Sequence, residues 1–543
     1  MDPYNPDCPK LPWMVEFFKS EDGEVLNNQL EAAFASTALS HLSSLSMKSK
    51  ASVFRASQLV CTLPLNATCH TIEELMSLGM SVARITVPGN QKDKILEMIA
   101  KVRVLTERFS KKIGRIYPLA LAIDVRGPEI RIGKLEKNRD SLYLPKGKLT
   151  ALTSDEAYEE FVNEDMIFVD YQKLSEIIQP GDKVLIDYGA LHLSAIEVAE
   201  SIVKCIVEKA GTLIGRSSVI IPNAPIDLPV ISSEDMDILK LAIDNHIDYI
   251  VVSGIYSKEN ISDIKRLVGG VDTLQILTKI ENSMAVDNIN EIIDESDGVC
   301  IDCERLLFDI PKEKVFLVQK SILAKCNLKG IPVICSTNIA DVTTLSKSEV
   351  CDIANCIIDG ADGLLINQSV CTKEIVKEVS VICKEAEPAV YQRQIFNELI
   401  YNIPTPNESI YSLCISAVEA SLKTSAAAII CLTTSGRTAK LISRFKPRCP
   451  LIVITRYPRV ARLLRLYKSI DPIIYLKAFS GNYDHDLEDR VQLGITYGKL
   501  MGYIKMGDSL VTVTGSRPEA GIPNSMKILY ASDYDTLLNK IRY

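Results

Sequence analysis

Five short apolar runs in this chain end in side chains that could do chemistry. Arg84 and Thr86 close the first and Asp124 the second. Lys279 and Glu281 close the third, Asp302 to Arg305 follow the fourth, and Thr337 ends the fifth. Arginine forks phosphate oxygens, lysine supplies a movable positive charge, and carboxylates hold a divalent metal. Brought to one rim, these residue types suit phosphate chemistry. They equally suit a set of rim ion pairs with no substrate. The fourth run, GVCIDCERLLFDIP at 298–311, is the odd one, because Asp302 and Glu304 stand beside a permanently charged Arg305.

Positioning such residues requires an element that repeats. From residue 59 onward, short β-rich apolar runs alternate with helix-period segments: LVCTLP (59–64), SVARITV (81–87), LALAIDV (119–125), YIVVSG (249–254), LQILTKI (274–280), GVCID (298–302), PVICST (332–337) and GLLI (363–366). Strands apolar along their whole length are buried on both faces, as in a parallel sheet covered by helices. Eight such units predict an α/β chain with a (β/α)8 TIM barrel. Thr71 and Ser233, each followed by acids, are the expected N-caps of two of its helices.

More than 120 residues separate the third run from the fourth, and they change character. LEKNRDSLYLPKGKLTALT, the alternation around Met166–Asp170, and DKVLIDYGALHLSAIEV read as hairpins. They predict a β-rich domain inserted in a barrel loop, with IIPNAPIDLPVIS as the return hinge. After about residue 400, AAAIICL, PLIVIT, DPIIYL, DSLVTVTG and SMKILYA predict a separate three-layer α/β domain. The expected division is a leader over 1–28, the barrel over 29–128 and 222–400, the inserted lid over 129–221, and the C-terminal domain over 401–543.

The totals limit the partners. The 543 residues carry 61 Lys and Arg against 69 Asp and Glu, a net charge of −8, which argues against nucleic acid or an anionic membrane as the main partner. An anionic metabolite in a local cationic pocket is compatible with that balance. The 15 cysteines are scattered without a paired C-x-x-C framework and read as reduced thiols in a cytoplasmic protein's core. Five histidines make a His-based zinc site improbable. The opening MDPYNPDCPKLPWMVEFF has no basic segment before an apolar core, so no signal peptide is read there. No window reaches the length of a membrane-spanning helix.

AIDVRGPEIRIG at 122–133 and ILTKIEN at 276–282, with SVARITV, PVICST, DGADGLLI, LTTSGRTA and TGSRPEAG, resemble the pyruvate kinase family. The resemblance runs from about Gln29 to the C-terminus. It implies a TIM barrel interrupted by a β domain and followed by a C-terminal α/β domain. It further implies phosphoryl transfer from phosphoenolpyruvate to ADP, giving pyruvate and ATP, in a cytoplasmic glycolytic tetramer that uses Mg2+ and K+.

By the same resemblance, Arg84 matches the substrate-binding arginine and Lys279 the lysine that stabilises the transferring phosphoryl and the enolate. Thr337 matches the threonine at the proton-transfer end, Glu281 one Mg2+ ligand, and Arg131 the arginine that helps hold the nucleotide. Asp124 matches a K+ ligand, and Val125 stands where a backbone carbonyl ligates K+. The departures are as specific. The family's A-R-G-D-L-G reads Asp302, Cys303, Glu304, Arg305, Leu306, Leu307 here, so a guanidinium replaces the second Mg2+ carboxylate. Glu304 replaces a glycine and is expected to distort its turn. Thr86 and Pro88 replace the potassium site's asparagine and serine, and Gly89 replaces a histidine near the nucleotide. The P-R-P-T-R-A-E segment is shortened to LSKSE, and S-G-E-T-A has become Asn367 to Cys371.

In the C-terminal domain, Thr433, Thr434, Ser435, Gly436, Arg437 and Thr438 follow a strand and open a helix. Hydroxyls and N–H groups there suit either helix capping or a phosphate. The resemblance implies a sugar bisphosphate effector, with Arg490 and Ser516–Gly521 completing the pocket and Tyr483 where some relatives have tryptophan. Two functional readings follow: a pyruvate kinase homologue whose transfer is weak or lost, or a non-catalytic subunit that binds metabolites or assembles with an active pyruvate kinase.

Overall fold

The structure, a computed structural model, describes residues 29–532 apart from 87–91, 126, 128–129, 137–138, 188, 223, 225–227, 229–230, 270–273, 480 and 516–522. The leader, Pro88, Gly89, Ser516–Gly521 and much of the proline-rich return lie outside the described residues.

Eight parallel strands close into a barrel: β1 (Gln58–Leu63), β2 (Val82–Ile85), β3 (Ala120–Val125), β4 (Tyr249–Val252), β5 (Gln275–Ile280), β6 (Gly298–Ile301), β7 (Val333–Ser336) and β8 (Gly363–Ile366). Each pairs with its neighbour in chain order, and Gln58 opposite Gly363 closes the ring. The two-residue period of a strand sorts the side chains. Val60, Val82, Ala122, Val251, Leu277 and Cys300 point inward. Leu59, Cys61, Ile123, Ile250, Ile276 and Val299 point out against the helices. These are the predicted strands, displaced by at most two residues at their ends. The two caps are corrected: Thr68 caps Cys69–Ser77, and Ser232 caps the helix opening at Ser233. In each case an earlier hydroxyl reaches the free N–H three residues on, leaving Thr71 and Ser233 inside the first turn.

Between β3 and β4 stand a seven-stranded sheet and a two-stranded ribbon, Ser141–Leu144 with Gly211–Ile214. Alternate residues such as Leu152, Ile167, Val184, Leu193 and Val203 fill a core of their own. The path out of β3 passes against β4's exit. Gly127 has φ +69°, and a Cβ there would lie 2.3 Å from the Ser253 carbonyl oxygen, so only glycine fits without displacement.

The C-terminal sheet holds β9 (Ala428–Leu432), β10 (Leu451–Thr455), β11 (Ile470–Ile474), β12 (Ser509–Thr514) and β13 (Ser525–Tyr530), in the order 11-10-9-12-13 with only β13 antiparallel. Ile429, Cys431 and Val453 face helices Ser409–Lys423 and Arg437–Arg444; Ile430, Ile452 and Ile454 face helix Tyr483–Leu500. That is the predicted three-layer α/β unit. It is anchored to the barrel by buried charge: Arg462 Nε lies 3.0 Å from Asp248, and Lys446 Nζ 2.7 Å from Asp362. Among the described residues no helix is long and apolar enough to cross a membrane.

Candidate active site

The inward register that places Val60, Val82, Ala122, Leu277 and Cys300 in the barrel continues two residues further to Thr62, Arg84, Asp124, Lys279 and Asp302. Strand alternation alone therefore gathers these polar groups at the C-terminal mouth, and two residues past Lys279 stands Glu281. Arg84, Lys279 and Asp302 are 6, 8 and 7% exposed, so each needs a partner.

They find one another. Arg84 forks Asp124, with Nε donating to Oδ1 at 2.7 Å and Nη2 pairing with Oδ2. Its Nη1 donates to the Thr62 hydroxyl at 3.0 Å. Lys279 Nζ sits between two carboxylates, 2.7 Å from Asp302 Oδ2 and 3.1 Å from Glu281 Oε2. Arg305 Nη1 lies 3.5 Å from the same Glu281 oxygen. Glu281 Oε1 accepts from the Gly254 N–H at 2.9 Å, while Oε2 is buried among the cations without hydrogen-bond geometry to either. Arg84, Lys279 and Arg305 thus face Asp124, Glu281 and Asp302, and their charges cancel.

Ionisation follows from this pairing. Burial works against the Lys279 charge, but Glu281 and Asp302 outweigh it and push the ammonium up. Burial likewise opposes the Asp302 charge, yet Lys279 and then Arg305 hold its carboxyl below the usual range. Glu304 is raised instead, by partial burial and then by the negative Asp302 beside it. Glu304 does not distort its turn: helix Cys303–Asp309 begins directly after Asp302, and Glu304 has no positive φ. The correction has a simple cause. Asp302 Oδ1 accepts from the Arg305 N–H at 3.2 Å. This ordinary N-cap puts residue 304 in right-handed helix, which any L-residue adopts.

Other predicted residues sit apart from this network. The Thr337 hydroxyl donates to the Leu365 carbonyl at 3.0 Å. Thr86 donates to Gln368 Oε1 at 2.9 Å, and the Val125 carbonyl accepts from the Ser253 N–H at 3.4 Å. Arg131 belongs to the edge of the seven-stranded sheet, where its N–H donates to Asp170 at 2.6 Å and Nη1 to the Arg216 carbonyl at 3.4 Å. In the C-terminal unit, Thr433 accepts from the Gly436 N–H at 2.9 Å, and Gly436, at φ 84°, leads into Arg437–Arg444. Arg437 pairs with Glu408 at 2.6 Å and Arg490 with Asp486 at 2.9 Å. The Tyr483 hydroxyl donates to the Gly515 carbonyl at 2.8 Å.

The donor set decides what the rim can hold. Mg2+ requires oxygen ligands at about 2.0–2.1 Å in near-octahedral geometry. Glu281 Oε2 is the buried oxygen open to an ion, and Lys279 and Arg305 already flank it. A guanidinium has no lone pair to offer. The residues present do not fit Mg2+. Of the K+ positions, Asp124 pairs with Arg84 and the Thr86 hydroxyl donates to Gln368, so both keep oxygen lone pairs. Among the described residues no cluster of three or more His, Cys, Asp or Glu is arranged for a metal. Thr62 escaped the sequence reading, as did the pairing of Gln368 with Thr86. Thr62 is the penultimate residue of β1, in the same inward register as Arg84, so the strand-end rule could have found it; Gln368 lies in a rewritten loop with no such signal.

Residues 54–373 match the family model described as pyruvate kinase, barrel domain, and residues 411–529 the one described as pyruvate kinase, alpha/beta domain. The chain is 34% identical to the pyruvate kinase PKLR of Homo sapiens, over 93% of this chain and 90% of that protein. It is 32% identical to pyruvate kinase 1 of Trypanosoma brucei brucei, over 91% of this chain and 99% of that protein. The pyruvate kinase of Leishmania mexicana is 30% identical, over 90% of this chain and 99% of its own length.

Proposed function

The chain belongs to the pyruvate kinase family, and from that premise we propose a homologue in which the family's glycolytic phosphoryl transfer, phosphoenolpyruvate to ADP, is weak or lost. Arg84 and Lys279 are the groups that would meet the phosphorylated substrate, Thr337 the group at the proton-transfer end, and Arg131 the one that would reach the nucleotide. The sheets inserted between β3 and β4, over 129–221, act as a lid on the barrel of 29–128 and 222–400. The family generally uses Mg2+, for which Glu281 is the surviving ligand position, and K+, for which Asp124, Val125 and Thr86 are the positions. The rim of this chain does not suit Mg2+, and no step is assigned to either ion.

The observation that carries this reading is the Arg305 guanidinium 3.5 Å from Glu281, where the family motif has a carboxylate. Phosphoryl transfer is positioning and charge neutralisation. A single fixed charge does not replace a dication that holds two phosphates in line. Losing one well-placed electrostatic group costs about 10²–10³ in rate. A coupled assay of ADP phosphorylation at saturating phosphoenolpyruvate, Mg2+ and K+ tests it. Turnover at least about 100-fold below that of an active relative is expected; ordinary turnover contradicts the proposal.

The internally paired rim also favours a second reading, a non-catalytic subunit in a homo- or hetero-tetramer with an active pyruvate kinase. The C-terminal unit over 401–543 would supply a sugar bisphosphate site at Thr433–Thr438 and Arg490. Mixing the chain with an active relative and weighing the complexes tests this; absence of mixed oligomers removes it.

A further inference from the structure

We infer that Asp302 is a built-in counter-ligand: its carboxylate takes the Lys279 ammonium that would otherwise receive a small phosphorylated anion. The inference rests on the reading of this rim as a family site with weakened transfer, and it names the residue that closes it to anions.

Both Asp302 oxygens are committed within the protein, one of them to the cation an incoming anion would use. Oδ2 lies 2.7 Å from Lys279 Nζ, closer than Glu281 at 3.1 Å. Oδ1 accepts the Arg305 backbone N–H at 3.2 Å. One carboxylate therefore satisfies an ammonium and a main-chain donor together, as a carboxylate or phosphate ligand would. The residue is 7% exposed, so this pairing is shielded from water and strong. Its placement is dictated by register. Asp302 follows Cys300 by two residues and must point inward, and β6 holds Cys300 beside Lys279. Arg84 does not compensate, because Asp124 forks it. A dianion entering this mouth displaces an internal carboxylate before it gains a cation, and it meets the half-exposed Glu304 at the same helix start. Where the family motif has alanine, no such competitor exists.

The test is calorimetric titration of the full chain with inorganic phosphate and, separately, phosphoenolpyruvate, in EDTA at low ionic strength. Asp302→Asn and Asp302→Ser both keep a side chain that caps the helix while removing the charge. Each variant that melts cooperatively is expected to bind phosphate about tenfold tighter than the wild type or better, a gain of ~1.4 kcal/mol. Adding Lys279→Met is expected to abolish the gain, which a purely structural role for Asp302 does not predict. A folded variant that binds no tighter overturns the inference, as does a gain that survives Lys279→Met. Amine labelling of the wild type needs no variant. Lys279 is expected to react slowly, at a rate phosphate leaves unchanged; protection by phosphate overturns the inference. Family-level turnover by the wild type would defeat the proposed function, whereas unchanged binding in a slow enzyme defeats the counter-ligand alone.

Discussion

Arg305 Nη1 and Glu281 Oε2 lie 3.5 Å apart, with Lys279 Nζ 3.1 Å from the same oxygen. Two cations thus share the acidic side chain at the proposed Mg2+ ligand position. A network this buried is held by geometry, since Lys279 and Glu281 have little water left and depend on each other, on Asp302 and on the Gly254 N–H for compensation. The rim consequently behaves as a closed set of ion pairs in a scaffold that otherwise keeps the family architecture.

The carboxyls at this helix start titrate in opposite directions. Asp302 is held low, because Lys279 and then Arg305 outweigh burial. Its contribution to stability is present above the unfolded value of about 3.9 and is lost as pH falls through the lower folded value. Glu304 is raised, by burial and then by Asp302. Its contribution is full below the unfolded value of about 4.3 and is lost as pH rises through the folded value. Glu304→Gln is therefore expected to raise the melting temperature at neutral pH and to leave it unchanged near pH 4. An equal gain at both pH values would contradict the assignment.

Asp362 is the anchor between barrel and C-terminal unit. It accepts the Val333 N–H at 3.0 Å, the Lys446 ammonium at 2.7 Å and the Lys468 N–H at 3.2 Å. Asp362→Ala leaves Lys446 and Lys468 buried without that carboxylate. A loss of about 3–5 kcal/mol is expected in urea unfolding. A loss under about 1 kcal/mol would mean the pair behaves as a solvated surface contact.

The eight barrel strands were legible because each is a short apolar run bounded by turns, and the insertion because its alternation breaks that pattern. The mouth residues were legible by type and position at strand ends. Their pairing was not. That Asp302 takes Lys279, and that Arg84 takes Asp124, depends on strand stagger: Lys279 stands level with Cys300 and Arg84 with Ala122, one inward step before their partners. The cap positions were misread by one to three residues, since TCHT and SSED each offer more than one hydroxyl. The regular helix through Glu304 was hidden because a glycine position in a family motif does not by itself require positive φ.

Arg437 and Arg490 each have an internal carboxylate partner, Glu408 and Asp486. If the loop Thr433–Thr438 takes a sugar bisphosphate, calorimetry with fructose 1,6-bisphosphate should give a binding heat. Arg437→Ala and Arg490→Ala should each reduce the affinity by about tenfold or more, the scale of a charge-assisted phosphate contact. No heat, or equal competition by unrelated sugar phosphates, would remove the effector from the account.

The most direct test restores the family motif. In Glu304→Gly combined with Arg305→Asp, Glu281 regains a carboxylate partner and loses the guanidinium beside it. Mg2+-dependent ADP phosphorylation by this double variant is expected to exceed the wild type by about 10² or more. If the wild type already turns over as fast as an active relative, or the double variant gains nothing while remaining folded, the loss of the Mg2+ position to Arg305 is contradicted.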